Sequence, residues 1–265
     1  MRRLSIGVAI ALAFLICALV GPWVAPFSPV EINLERQYQT PSLTHLLGTA
    51  DNGVDILSVL LHGARLAGVV ALLSVGISLL VGTSLGAYAG YRGGRADHVV
   101  TAMADLVQSF PAIVLNVAIL AMIARSGLIH LVLALAANGW VLYARIARAQ
   151  ALALREREFV LAARVLGASP VQILFRHILS NLAGPLLVQA SAGLGAAILA
   201  ESTLSFLGLG PGVSASWGAL LDQGSAVLLR FPHVALIAGG VIAITVLGFN
   251  LTGDWLHDRL DPHSR

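Results

Sequence analysis

Residues 155–181 read REREFVLAARVLGASPVQILFRHILSN, a charged helical hairpin set between long apolar segments. The stretch carries Arg155, Arg157, Arg164 and Arg176 beside Glu156 and Glu158. One helix is expected to run to about Leu166 and to stop at Gly167, a residue suited to a left-handed C-terminal cap. A second begins at Ser169-Pro170-Val171-Gln172, with Ser169 as N-cap, Pro170 in the first helical position and Gln172 completing a capping box. Along it Val171, Leu174, Phe175, Ile178 and Leu182 fall on one stripe, while Gln172, Arg176 and Ser180 lie four apart on another. A short amphipathic helix of this kind on a membrane protein's charged face has two uses. It lies on lipid headgroups, or it docks into a partner's groove.

The chain around the hairpin is built for lipid. Of 265 residues, 57% are hydrophobic and only 11% charged, with a mean hydropathy of +0.86. A soluble domain carries about 25% charged residues, so the composition is that of a polytopic membrane protein. The net charge of +3 comes from arginine alone, because lysine is absent. Nothing resembles the basic patch with interleaved aromatics expected of a nucleic-acid binder. The single cysteine, Cys17, excludes an internal disulfide or a cysteine-based metal cluster. The histidines lack ligand spacing, so no metal site is expected.

Six segments have the roughly 20 apolar residues that a hydrocarbon core of ~30 Å requires. They cover about 4–24, 66–90, 99–124, 127–147, 184–207 and 233–253. The first follows Arg2-Arg3 and competes with a cleaved signal peptide. No small-x-small site follows it, and Gly21-Pro22-Trp23 stands where cleavage would fall, so a retained anchor is expected. With the N-terminus inside, the inner segments hold Arg2, Arg3, Arg92, Arg95, Arg145, Arg148, Arg155, Arg157, Arg164, Arg176, Arg259 and Arg265. The outer ones hold only Arg36, Arg65, Arg125 and Arg230. This asymmetry places the hairpin and both termini in the cytoplasm and leaves two longer outer loops, 25–65 and 208–232.

Small residues mark expected helix contacts. Ser74, Ser78, Gly82, Gly86 and Gly90 recur every four residues, and 190–200 is rich in alanine and glycine. Polar groups at membrane depth are costly and point to a pathway or a partner. In the third segment these are Asp105, Gln108, Ser109 and Asn116, near one helical face, with Pro111 expected to bend the helix. Asn138, Gln189 and Glu201 are the others. Asp105 either lines a pathway or pairs with an arginine at the inner interface. Glu201, followed by Ser202-Thr203, is either a gate or a structural hydrogen-bonded acid. A phosphate-binding P-loop needs a lysine and cannot exist here. H-E-x-x-H is also missing. Any nucleotide hydrolysis that powers this protein is performed by another chain.

A series of motifs in fixed order then becomes informative: His45-Leu46-Leu47-Gly48-Thr49, Gly63-Ala64-Arg65, Ala89-Gly90-Tyr91, Phe110-Pro111, Tyr143-Ala144-Arg145 and Arg155-Glu156-Arg157-Glu158-Phe159. Ala162-Ala163-Arg164, Leu166-Gly167-Ala168-Ser169 and Phe175-Arg176-His177-Ile178-Leu179 follow. Residues 200–210 (AESTLSFLGLG), Ser216-Trp217-Gly218 and Asp261-Pro262 complete it. In these the chain resembles the inner-membrane permease subunits of bacterial ATP-binding-cassette importers. The likeness is to the dipeptide/oligopeptide/nickel branch, in the DppC/OppC-like position, over nearly its whole length.

The resemblance implies an all-α polytopic fold of about six transmembrane helices, the type I importer permease fold. It divides the chain into an N-terminal transmembrane helix (1–25), a periplasmic segment (26–65) and a core permease domain (66–265). A cytoplasmic coupling helix would dock in a groove of the ATPase. The family's Glu-Ala-Ala…Gly motif falls on Leu161, Ala162, Ala163 and Gly167. Ala168, Ser169, Val171, Leu174, Phe175 and Arg176 are the accompanying contact candidates. Leu161 stands where the motif has glutamate, with Glu158 one turn earlier, and Ser180 stands where proline commonly follows Ile-Leu. Ala50 and Val54 occupy positions often acidic and basic in relatives.

The implied partners are a homologous permease subunit, two ATPase subunits that bind ATP and Mg, an extracytoplasmic solute-binding protein and the lipid bilayer. No cofactor is expected in this chain, and no enzymatic activity. Asp105, Gln108, Asn116 and Glu201 are the pathway or gate candidates. The implied solute is a dipeptide or oligopeptide, with nickel or a metal chelate, heme, or an opine or sugar as alternatives. A stand-alone channel or secondary transporter is the competing class, although the chain lacks the two-halves repeat such transporters often show.

Overall fold

The computed structural model describes residues 2–123, 127–212 and 215–260. Arg125, Asp261-Pro262 and Arg265, which figure in the sequence reading, lie outside the described residues. Among those described, regular structure is helical apart from one isolated β-bridge between Thr49 and Asp55. The longer helices are α1 (Arg2–Val24), α2 (Ile56–Arg92), α3 (Gly94–Gln108), α4 (Ala112–Ala121) and α5 (Leu128–Leu154). They continue with α6 (Glu158–Val165), α7 (Pro170–Phe206), α8 (Trp217–Ala226) and α9 (Pro232–Leu260). Five of these are long and apolar enough to cross a membrane, six if α3 and α4 together form one bent span. The protein is an all-α polytopic membrane protein.

Helix α2 starts ten residues before the expected crossing. Asp55 caps it, accepting from the Ser58 amide at 2.8 Å, so 56–65 is helix rather than irregular loop. Its 37 residues span about 55 Å, well beyond a ~30 Å hydrocarbon core. The small-residue stripe of α2 then does what its four-residue spacing predicts. A Cβ on Gly82, Gly86 or Gly90 would collide with the backbone carbonyl of Trp140, Ala144 or Arg148 respectively. Helices α2 and α5 therefore touch backbone to backbone, in the manner of small-residue contacts in membranes.

The third crossing is broken rather than bent. α3 ends at Gln108, α4 restarts at Ala112, and their axes differ by 82°. Pro111 has no amide to donate and disfavours helical geometry at Phe110. The end of α3 is closed locally, Ser109 N donating to Asp105 O at 2.9 Å and Ser109 Oγ to Leu106 O at 2.7 Å.

The second half of the hairpin also differs from expectation. It is not a separate short helix but the first turns of α7, which runs on through a π-helical stretch, Ile173–Ile178. Residues five apart share a face in such a stretch, so Ile173 and Ile178 are both buried, together with Leu182. The single stripe drawn from 3.6-residue spacing splits: Ile178 and Leu182 are buried, while Val171 and Phe175 are 63% and 65% exposed.

α1 packs against α2 and α9, where Phe14 makes edge-on ring contacts with Trp217 and Phe249 at 5.8 and 5.5 Å. The chain thus passes up and down one bundle. Leu260 reaches Gly184 and Gly7 reaches Leu251, so both described chain ends share the end of the bundle that carries α6. The segment 25–55 and α8 occupy the opposite end.

Candidate functional site

The break between α3 and α4 places Gln108 and Asn116 on the wall of an open cavity of about 850 Å³ lined also by α2, α5, α7 and α9. Irregular backbone at membrane depth is tolerated where it is buried in protein or lines a cavity. Asn138, Gln189 and Asn250 add three more carboxamides, and Tyr143 adds a phenol. Among the described residues, no carboxylate, arginine, histidine or cysteine lines the space. Asn116 is 4% exposed and Tyr143 3%, yet neither Asn116 Oδ1 nor the Tyr143 hydroxyl has a hydrogen-bond partner. The Tyr143 hydroxyl lies so close to Gly193 that a Cβ there would collide with it. Glycine on α7 makes room for the phenol.

The other two pathway candidates sit elsewhere. Asp105 accepts from Arg145 Nη2 at 2.8 Å, and both side chains are more than half exposed. Next to this pair Arg148 holds Asp97 through two hydrogen bonds, one of 2.7 Å from Nη2 to Oδ2. These two pairs tie α5 to α3. Glu201 is 1% exposed and is not among the cavity-lining residues. Its Oε1 accepts from Ser205 Oγ at 2.7 Å and from Ser216 Oγ at 3.1 Å, and its Oε2 from Ser202 Oγ at 3.4 Å.

Ser216 also caps α8, accepting from the Gly218 amide, and Trp217 Nε1 donates to Leu60 O at 2.9 Å. Glu201 is thereby the hub that fastens α8 onto the end of α7, beside α2. A second clasp lies close by. Asp55 holds His45 Nδ1 at 3.0 Å and Ser58 Oγ at 2.8 Å, and Ser58 Oγ accepts from the Phe27 amide at 3.1 Å. The His45–Thr49 motif is thus a folding device. Gly48 has φ +80°, and a Cβ on it would collide with Gln39 O. Ala50, buried, donates its amide to Val54 O at 2.8 Å.

At the opposite end, the turn between α6 and α7 is closed by backbone alone. Gly167 has φ +85°, its amide donates to Arg164 O at 3.1 Å, and Ala168 N donates to Ala163 O at 3.0 Å, a complete Schellman motif. The capping box follows at once: Ser169 N donates to Gln172 Oε1 at 2.9 Å, and Gln172 N to Ser169 Oγ at 3.3 Å. Val160 anchors α6, packing with Ile173 and Ile178 in one buried cluster.

The rest of the turn faces outward. Leu161, Ala162, Gly167, Ser169, Val171, Phe175 and Arg176 are exposed, and Ala163, Ala168 and Leu174 are half-buried. Val165 and Leu166, each 87% exposed, are the most prominent apolar side chains on it. They were not singled out from sequence. The available signal was two large apolar residues immediately before a left-handed glycine, where the helix has no core left to cover. Tyr143 and Asn250 were missed as cavity residues because their companions lie on other helices.

The chain is similar to known transport proteins over nearly all its length. Residues 82–265 match the family model described as binding-protein-dependent transport system inner membrane component. The dipeptide transport system permease protein DppC of Alkalihalophilus pseudofirmus is 37% identical over 258 residues, 97% of this chain and 84% of the relative. The oligopeptide transport system permease protein OppC of Bacillus subtilis is 36% identical over 261 residues, covering 98% and 85%. The glutathione transport system permease protein GsiD of Pectobacterium atrosepticum is 36% identical over 266 residues, covering 98% and 88%. Through this match and its apolar helices, the chain belongs to the binding-protein-dependent transport system inner membrane components, the multi-pass permease subunits of ATP-binding-cassette importers, which are not themselves enzymes.

Proposed function

We propose that this chain is one of two homologous permease chains in an ATP-driven importer of dipeptides or oligopeptides. Two ATPase subunits, which hold ATP and Mg, bind below the pair, one of them docking on the α6–α7 turn of this chain, and a solute-binding protein docks at the opposite end. The end with α6 and both termini is then cytoplasmic, as the arginine asymmetry requires. The observation that carries this reading is the turn itself. It is rigidly closed by its own backbone yet leaves Val165, Leu166, Val171 and Phe175 uncovered. Exposed apolar groups fixed on a rigid frame suit a partner's groove. The solute class is taken from the names of the relatives, all of which carry peptides.

Helix α7 gives the arrangement a mechanical sense. One helix of 37 residues carries the docking turn at its start, the cavity residues Gln189 and Gly193 midway and Glu201 at its far end. A displacement imposed by the ATPase at Pro170 reaches the cavity wall and the α8 clasp through a single element. Its π-helical stretch and Pro185 are the places where it can yield.

Reconstitution tests the proposal. The permease pair, copurified with its ATPase and supplied with the binding protein, takes up peptide into proteoliposomes only with ATP. Uptake without ATP or binding protein would instead identify a secondary transporter or channel. Reporter fusions after residues 3, 95, 155 and 259 are expected in the cytoplasm, and those near Asp51 and Gly218 outside. An exported fusion at 155 would overturn the orientation.

A further inference from the structure

The cavity wall is unusual in what it offers a solute. Gln108, Asn116, Asn138, Gln189 and Asn250 are contributed by five separate helices, and the lining holds no charged side chain. Each carboxamide presents N–H donors and a C=O acceptor, the same complement that a peptide group presents. A metal cation would call for carboxylate, imidazole or thiolate ligands, and a wall of one charge would favour solutes of the other. Independently of composition, Asn116 Oδ1 and the Tyr143 hydroxyl are buried in this wall with no partner among the described residues. Buried polar atoms are rarely left so. Gly193 keeps the phenol in place, since any larger residue would displace it.

We propose that Asn116 and Tyr143 form a contact site for the backbone of a peptide in transit. Asn116 Oδ1 accepts from a peptide N–H, the Tyr143 hydroxyl donates to a peptide carbonyl, and the surrounding carboxamides replace the water that the backbone sheds. The site reads the feature all peptides share and ignores side-chain charge. It rests on the importer reading above and names its solute chemistry. The pair also explains how the membrane step remains permissive: a charge-free wall gives the solute no strong counter-ion to leave behind.

The test uses the whole reconstituted complex with its binding protein and three probes, Ala-Ala-Ala, Ala-Glu-Ala and Ala-Lys-Ala, with uptake normalised to binding-protein occupancy. The wild-type complex moves all three at rates within about threefold, a spread of less than one hydrogen bond's worth. Asn116→Asp keeps an acceptor and adds a negative charge, so the ratio of Ala-Glu-Ala to Ala-Lys-Ala uptake falls about tenfold. Tyr143→Phe removes the donor, and peptide moved per ATP hydrolysed falls up to about tenfold for all three alike.

An unchanged Ala-Glu-Ala to Ala-Lys-Ala ratio in Asn116→Asp, or unchanged peptide moved per ATP in Tyr143→Phe, overturns the site, as does failure of both variants to assemble with the second permease, which would make the residues structural. Wild-type complex that hydrolyses ATP in response to loaded binding protein but moves none of the peptides overturns the peptide chemistry alone. Wild-type complex with no such response removes the importer reading and the site together.

Discussion

The two ends of the bundle solve opposite problems. At the end with residues 25–55 and α8, buried polar side chains are gathered into networks within the chain, His45 Nδ1, Asp55 and Ser58 in one clasp and Glu201 with three serines in another, leaving the ring nitrogens His45 Nε2 and His233 Nε2 without a partner there among the described residues. At the α6–α7 turn the hydrogen bonds are local backbone and cap bonds, and large apolar side chains stand in the open. Buried, satisfied polar networks rigidify and specify a single arrangement. Exposed apolar groups on a closed turn gain only when another surface covers them. The first end closes its polar groups with long-range networks and the second with near neighbours, while both leave apolar side chains for another surface to cover, Leu43 and Leu229 at the first and Val165 and Leu166 at the second.

One substitution placed at both ends tests this most severely. Gly218 packs so tightly on α7 that a Cβ would collide with the Ser202 carbonyl, whereas a Cβ on Gly167 meets nothing within 4 Å. Gly218→Val should therefore destabilise the fold by about 3 kcal/mol or more, seen as a lower melting temperature and lower yield in detergent. Gly167→Val strains only a left-handed backbone, by roughly 1–2 kcal/mol. It should leave yield intact and abolish peptide transport, because a docked helix biases a two-state equilibrium by similar energies. Equal loss of yield in both would erase the contrast.

Next in size is Leu166→Asp. Covering a leucine is worth about 1.5–3 kcal/mol, so ATPase retention during copurification should fall at least tenfold while the permease melts as before. A change in melting without a change in ATPase retention would return the turn to a lipid-surface role. Asp55→Ala removes the α2 cap and strands His45 and Ser58, for a loss of about 1–2 kcal/mol. It is expected to loosen 25–55 to limited proteolysis without affecting ATPase binding. Loss of ATPase binding would mean that the two ends are not separable.

Glu201→Gln is the mildest change, about 1 kcal/mol, since the amide oxygen still accepts from the serines. We expect the complex to assemble and the stimulation of ATP hydrolysis by loaded binding protein to shift several-fold, because the clasp joins α8 to the helix that begins at the turn. A lower yield of assembled complex with normal stimulation would assign Glu201 a purely structural role.

Much of the turn was legible beforehand because its contacts close within five residues. Gly167, Ser169, Pro170 and Gln172 form a cap and a box whose partners are neighbours in the chain, and the four-residue spacing of Gly82, Gly86 and Gly90 is a property of one helix. The break at Pro111 was half legible: proline announces a defect, but whether a membrane helix bends or stops depends on what receives its freed backbone groups. The π-helical stretch was not legible. Its Ile173 and Ile178 share a buried cluster with Val160, and periodicity assumes the spacing that the stretch changes. Asp105 was half legible: pairing with an arginine at the inner interface was one of its two expected roles, but the choice of Arg145 joins residues forty apart.

The sequence by itself determined that this chain lives in a membrane, roughly which segments cross it and how its charged turn is capped. Those properties depend on solvation and on hydrogen bonds between near neighbours, and composition and spacing encode both. Only the tertiary structure decided that Gln108 and Asn116 share a charge-free cavity with Tyr143 and Asn250, and that Glu201 belongs to the α8 clasp. It alone showed Val165 and Leu166 as the most exposed apolar side chains of the turn. Each of those outcomes is set by which distant helix faces the residue, and a periodic pattern states only that some face must be covered.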